Sequence, residues 1–233
     1  MLDIQFWQKY FQVYDVLNEL KPYDDLLETI TQKLYTQQGD LILDAGAGTG
    51  NLAMKLVKNG ARVTAFDSSE VGLKIYKTKN PNAINVTGDL LKPLPFAENS
   101  FDKICSNNTL YTLPREQRMS VMREFYRILK PGGLIVISNL TESFSPSKIY
   151  SNHFVWEFNN HRVGAIFRFF KFLIPTIKIF YYNSLIKREN KTGAYDFFKK
   201  GEQGELLASA GFKEISLDEK VYAGQGIINV AKK

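Results

Sequence analysis

The sequence predicts an α/β fold: a doubly wound, mostly parallel sheet with helices on both faces, interrupted by an inserted α-helical cap. Three observations predict it. Short apolar runs alternate with helical patterns along most of the chain, which implies right-handed strand–helix–strand crossovers. The first of those runs ends in a glycine-rich turn, as expected where such sheets bind ligands. Composition then shifts abruptly over 144–200 and returns to ordinary values, which marks an insertion within one domain of 233 residues.

The elements follow in order. Residues 4–37 carry apolar side chains at three- and four-residue spacings, Phe6, Tyr10, Val13, Tyr14, Leu17 and then Leu26, Leu27, Ile30, Leu34, with Pro22 dividing them, so two helices precede the sheet. LILDA at 41–45 is the first strand, and 51–60 is a helix stopped by Gly60. RVTAFD at 62–67 is a second strand, followed by a helix over 68–80. Ile84–Val86 and 101–107 are the third and fourth strands. A helix over 115–130 is ended by Pro131-Gly132-Gly133, and 134–140 is the fifth strand. After the insertion, 204–212 is helical, and Glu214–Leu217 and Gly226–Ala231 are two further strands.

Composition narrows the function classes. Hydrophobic residues at 44% and charged residues at 23% describe a globular chain, neither disordered nor multi-spanning. The single cysteine, Cys105, excludes an intrachain disulfide framework and any multi-cysteine metal cage; no metal is expected. The N-terminal residues lack the basic-then-apolar run of an export signal, so a cytoplasmic location is expected. The net charge of +6 is localised: 144–200 holds ten Lys/Arg against three acids, +7 in all, leaving −1 for the rest. The same segment holds 15 of the 31 aromatic residues. Its function is therefore distinct from that of the flanking chain.

The turn DAGAGTG places Asp44 at a strand end and Gly46, Gly48 and Gly50 before a helix, where backbone amides meet a ligand. A dinucleotide fingerprint would require glycine at 51, where the chain has Asn51, which argues against NAD. Asp67 ends the second strand, Asp89 follows the third, and Asn107-Asn108 follow the fourth. With DAGAGTG, AFDSS, GDLLKPLPFAENSFDKICSNNTL and RILKPGGLIVIS in this order, the chain resembles the class I S-adenosylmethionine (SAM)-dependent methyltransferases with their Rossmann-like core. It is most similar to the small-molecule branch that includes the ubiquinone- and menaquinone-biosynthesis methyltransferases. The resemblance is close over 35–140 and loose over 204–233.

The resemblance implies SAM as cofactor, S-adenosylhomocysteine as product, and a set of contacts. Gly46 and Gly48 face the methionine moiety, and Asp67, with Ser68 beside it, takes the ribose hydroxyls. Asp89 receives the adenine amino group, and Leu90 donates a backbone N–H to the ring. Asn107 contacts the methionine part, Asp44 orients the first loop and helps place the ammonium or a bridging water, and Tyr10 or Tyr14 forms an aromatic lid. Residues 1–37 are then the lid, 38–140 and 204–233 the cofactor core, and 141–203 the cap. Asn108, Tyr111 and Trp156 are expected at the acceptor.

Methyl transfer is an in-line displacement that needs alignment and exclusion of water; a general base is needed only if the acceptor must lose a proton. Both histidines, His153 and His161, fall in the cap and are the candidate bases, with Glu157 and Tyr111 behind them. The run 163–182 is interrupted by Pro175 and carries Arg168, Lys171 and Lys178 within one sector of a helical projection, so it should not span a bilayer. It reads as a lid over a hydrophobic acceptor pocket with its cations in water, or as an amphipathic surface that contacts an anionic membrane at its inner face. The substrate expected is a hydrophobic or amphipathic small molecule, a quinone precursor or lipid; a tRNA methyltransferase and a non-catalytic SAM-binding partner protein are the alternatives. Oligomeric state and acceptor atom have no sequence signature.

Overall fold

The computed structural model describes residues 4–161, 177–186, 188 and 196–233, with only the backbone of Ile4, Gln8, Gln12 and His161. Seven strands form one sheet: β1 Leu41–Ala45, β2 Arg62–Asp67, β3 Ile84–Thr87, β4 Phe101–Asn107, β5 Leu129–Leu140, β6 Glu219–Val221 and β7 Gly226–Lys232. Their order is β3-β2-β1-β4-β5-β7-β6; the first five are mutually parallel, and β7 runs antiparallel to both β5 and β6. Helices lie on both faces: α1 Ile4–Tyr14, α2 Lys21–Lys33, α3 Asn51–Lys58, α4 Glu70–Lys79, α5 Arg118–Ile128, α6 Pro146–His161, α7 over 177–186, and α8 Glu202–Ser209. The strand order reverses between β1 and β4, so the loops that follow these two strands flank the crevice in which open α/β sheets bind ligands.

β1, β2 and β4 fall on the runs expected for them, because buried apolar residues fix both register and extent; Ile42, Leu43, Ala65 and Ile104 are fully buried. Other boundaries differ for local reasons. The break between the first two helices falls at Leu20, in extended conformation, and Pro22 sits in the first turn of α2, where a missing N–H costs nothing. α5 ends at Ile128 and β5 begins at Leu129, ahead of Pro131, whose ring disfavours helical conformation in the residue before it. Glu214–Leu217 is no strand: Glu214 takes a left-handed φ of 48°, only Lys213 bridges to Lys232, and the edge strand forms later, at β6. Ser69, not Ser68, caps α4, its side chain accepting from Gly72 N at 3.2 Å. The central part of the basic run, with Arg168, Lys171 and Pro175, lies outside the described residues.

Candidate active site

The loop from β1 to α3 carries Asp44 and the glycines. Gly46 has φ +83°, and a Cβ there would stand 2.1 Å from Thr109 Oγ1; Gly48 has φ +54°, and a Cβ there would meet the Phe11 ring at 2.8 Å. Only glycine permits both the left-handed turn and the approach of these neighbours. Asp67, at the end of β2, ties the two loops together: its Oδ2 accepts from Gly48 N at 2.8 Å and its Oδ1 from Ser69 N at 2.7 Å. Burial raises its pKa, while the amides of Ser69 and Gly48 pull it back. Asp89 Oδ1 accepts from Leu91 N at 2.9 Å.

A pocket of about 1140 Å³, its open mouth included, lies over these loops. It brings together Tyr10, Tyr14, Asp44, Gly46, Gly48, Asp67, Ser68, Asp89, Leu90, Asn107, Asn108 and Tyr111, all expected at a site from the sequence. Buried side-chain oxygens in this wall stand without partners: Asp44 Oδ2, Asn107 Oδ1 and Asn108 Oδ1. Burial pushes the Asp44 carboxyl up to about 7, against the lowering contact of the Cys105 thiol, and the neighbouring Asp67 pushes the same way. Cys105 is itself buried in β4, with burial and Asp44 raising its thiol, so it is a core residue and no nucleophile. Unpaired buried acceptors call for a ligand with several donors or a positive charge.

The N-terminal helix closes one side. Trp7, Tyr10, Phe11 and Tyr14, at three- and four-residue spacings, share the face of α1 that lines the pocket. A polar latch fastens this lid beside the glycine loop. Lys79 Nζ pairs with Asp15 Oδ2 at 2.6 Å and donates to Thr49 O at 3.0 Å and Asn51 Oδ1 at 2.8 Å; Thr49 Oγ1 donates to Asp15 Oδ1 at 2.7 Å, and Asn18 Nδ2 to Asn51 Oδ1 at 3.0 Å. Asn51, where a dinucleotide fingerprint would have glycine, thus tethers the lid. Tyr14 and Tyr23 share a hydroxyl hydrogen bond of 3.0 Å, and Tyr10 donates to Asn183 Oδ1 at 3.3 Å. Of the two tyrosines expected over the cofactor, Tyr10 therefore turns to the cap, and Phe11 packs on Gly48.

The rest of the lining includes an aromatic and apolar set, Tyr111, Leu113, Leu140, Phe144 and Tyr222. Arg118 fixes Tyr111, its buried guanidinium donating to the carbonyls of Leu113 at 3.2 Å, Tyr111 at 3.4 Å and Asp196 at 2.5 Å. Burial pushes the hydroxyls of Tyr10, Tyr14 and Tyr222 far above the usual phenol range, so at neutral pH they are hydrogen-bond donors and not bases. Tyr222 holds a left-handed φ of 56° in the β6–β7 turn.

Three cap residues sit elsewhere. His153 Nδ1 accepts from Lys21 N at 3.2 Å, capping α2, whose N-cap Leu20 has no side-chain acceptor to offer. Trp156, one helical turn on, stacks on His153 with centroids 6.3 Å apart, and the Lys21 ammonium lies 5.8 Å from its ring. Neither residue lines the pocket, nor does Glu157, because this face of α6 packs toward α2. The His161 side chain lies outside the described residues. Phe11, Tyr23, Thr109, Asn183 and Tyr222 were not anticipated; for Phe11 the helical spacing from Trp7 and Tyr14 was the available signal. Among the described residues no cluster of three or more His, Cys, Asp or Glu is placed to hold a metal, and no helix is long and apolar enough to cross a membrane.

Residues 43–137 match the family model described as "Methyltransferase domain". The chain carries a methyltransferase domain and resembles the class I SAM-dependent methyltransferases. It is 27% identical over 234 residues to the demethylmenaquinone methyltransferase of Oceanobacillus iheyensis, covering 94% of this chain and 89% of that protein. It is 30% identical over 159 residues to the demethylmenaquinone methyltransferase of Staphylococcus epidermidis, covering 64% of this chain and 65% of that one. The crystal structure of a SAM-dependent methyltransferase from Aquifex aeolicus has the same fold, with a TM-score of 0.62 at 16% identity over 100% of this chain and 99% of that one. The unpaired oxygens of Asp44, Asn107 and Asn108 and the glycine cradle fit the donors and ammonium of SAM, the methyltransferase's cofactor.

Proposed function

We propose that this methyltransferase acts on a hydrophobic, ring-oxygenated aromatic small molecule of the quinone-precursor type. The observation that carries the reading is that one pocket is lined both by glycine backbone with unpaired oxygens and by phenols with apolar side chains. The relatives named as demethylmenaquinone methyltransferases support the same substrate class. In this reading 1–37 is a lid, 38–140 with 204–233 the cofactor core, and 141–203 a cap over the acceptor.

Bound SAM supplies an electrophilic methyl group on a sulfonium sulfur. Asp67 and Ser68 hold the ribose, Asp89 and Leu90 the adenine, and Gly46, Gly48 and Asn107 the methionine part. The ionised Asp44 carboxylate faces the ammonium. Phe11, Tyr10 and Tyr14 cover the site and exclude water, and Tyr111, Phe144, Leu140 and Tyr222 align the acceptor ring for in-line attack. His153 and Trp156 serve the seating of α2 and not the chemistry. The test uses the purified protein, SAM and a reduced prenylated naphthoquinone lacking the ring methyl: a product heavier by one methylene unit is expected. Absence of product there, with S-adenosylhomocysteine binding intact and RNA methylated instead, overturns the substrate class.

Exposed apolar residues support delivery of that acceptor from a membrane surface. Val155 and Phe158 of α6 and Ile177, Phe180 and Tyr181 of α7 are 43–58% exposed, and a Tyr150–Phe180 ring contact of 6.1 Å joins the two helices. They belong to the segment carrying +7, so the surface suits anionic lipid. Cosedimentation with phosphatidylglycerol vesicles and not phosphatidylcholine vesicles is expected, reduced in Phe158→Asp and Tyr181→Asp; no binding to either vesicle contradicts it.

A further inference from the structure

We infer that Asn183, on α7, positions the methyl acceptor by donating a hydrogen bond from Nδ2 to a ring oxygen, and that it is held ready for this by Tyr10. The inference rests on the proposed acceptor class and names the residue of the cap that recognises it. Among the described residues of the cap only Phe144 and Asn183 line the pocket. Asn183 is 8% exposed and sits between Ile179 and Ile186, four residues before and three after it, which are 0% and 1% exposed. This is the apolar inner face of a helix with one carboxamide in its middle, where leucine would fill the same space without desolvating two polar groups.

Half of that carboxamide is accounted for. Oδ1 accepts from the Tyr10 hydroxyl at 3.3 Å, while no acceptor among the described residues takes the Nδ2 hydrogens. Tyr10 is itself set by ring contacts to Tyr182 at 5.9 Å and Phe6 at 5.9 Å, so α1 and α7 meet at this pair. Because Oδ1 is taken by a donor, the amide is oriented with Nδ2 as its remaining functional group. The walls beside it, Tyr111, Phe144 and Tyr222, suit the faces and edge of a flat ring. A ring oxygen on Nδ2 fixes the rotation of that ring in its plane, and with it the carbon presented to the methyl group. The lid and the cap must both be in place before this donor is aligned, which couples acceptor recognition to closure.

The test compares two probes of similar outline, 1,4-naphthoquinone and 1,4-dimethylnaphthalene, binding to the full chain loaded with S-adenosylhomocysteine. The wild type is expected to prefer the quinone, and Asn183→Leu to lose about tenfold of that preference while holding S-adenosylhomocysteine as before. A merely structural role would weaken both probes alike and leave the ratio unchanged. An unchanged ratio in Asn183→Leu, or no preference in the wild type, overturns the inference and leaves the hydrophobic acceptor class standing. A wild type that binds S-adenosylhomocysteine but neither probe overturns the acceptor class itself. If Asn183→Leu loses S-adenosylhomocysteine, the same ratio is read in Asn183→Ser.

Discussion

On the sheet side of the pocket the groups facing the cavity are glycine backbone and oxygens without partners, contributed by loops that follow β1, β2, β3 and β4. On the lid and cap side they are rings and protonated phenols, contributed by helices and a hairpin far apart in sequence. On the sheet side the buried strands β1 and β4 hold their loops at the base, and the oxygens of Asp44, Asn107 and Asn108 there lack a donor. The other side is held by ring packing and a partly buried latch, and the hydroxyls of Tyr10 and Tyr14 there have hydrogen-bond partners. The first arrangement suits tight recognition of a polar, charged cofactor, and the second suits the apolar ring proposed as the acceptor.

The comparison predicts graded effects. Asp67→Ala removes the acceptor that joins Gly48 N to Ser69 N and that is proposed to hold the ribose; S-adenosylhomocysteine affinity, read by calorimetry, should fall at least about 100-fold. A loss under threefold would remove Asp67 from the cofactor wall.

Asp44 gives the next effect, through pH. Its folded pKa of about 7 stands above the unfolded value of 3.8. Its contribution to apo-protein stability is therefore full below about pH 4, declines as pH rises toward 7, and is lost above that, by on the order of a few kcal/mol. The ammonium group of the ligand favours the ionised carboxylate, so S-adenosylhomocysteine should bind about tenfold more tightly at pH 8 than at pH 6. Asp44→Asn should flatten both profiles, and a pH dependence that survives the substitution places the titrating group elsewhere.

On the lid side, Asp15→Asn breaks the partly exposed pair with Lys79, and KM for SAM should rise only two- to fivefold with kcat held. The smallest effect is at His153. His153→Gln should leave turnover within twofold and lower stability by about 0.5–1 kcal/mol, as loss of a helix cap does, measured by thermal denaturation. A drop in kcat with unchanged stability would restore it as a base.

The two sides also differ in how far they were legible. Asp44, Gly46, Gly48, Asp67, Asp89 and Asn107 sit at ends of strands whose apolar runs define them, so local pattern places them in one crevice. Asn183 and Tyr10 are 173 positions apart, and no local pattern pairs a helix near the N-terminus with one near position 180. His153 and Trp156 do not line the pocket, because helical spacing gives a shared face but not which neighbour it meets, and both contact Lys21 at the start of α2. Tyr222 was missed because its place in the pocket depends on a left-handed turn at a non-glycine residue.

The central claim, one pocket with a cofactor wall and a hydrophobic acceptor wall, is tested most directly by following the methyl group. The purified protein is incubated with methyl-labelled SAM and an extract of a menaquinone-producing bacterium, and the label is partitioned among organic phase, aqueous small molecules, RNA and protein. Label is predicted in the organic phase, lost in Asp67→Ala. Label confined to RNA or protein would contradict the account.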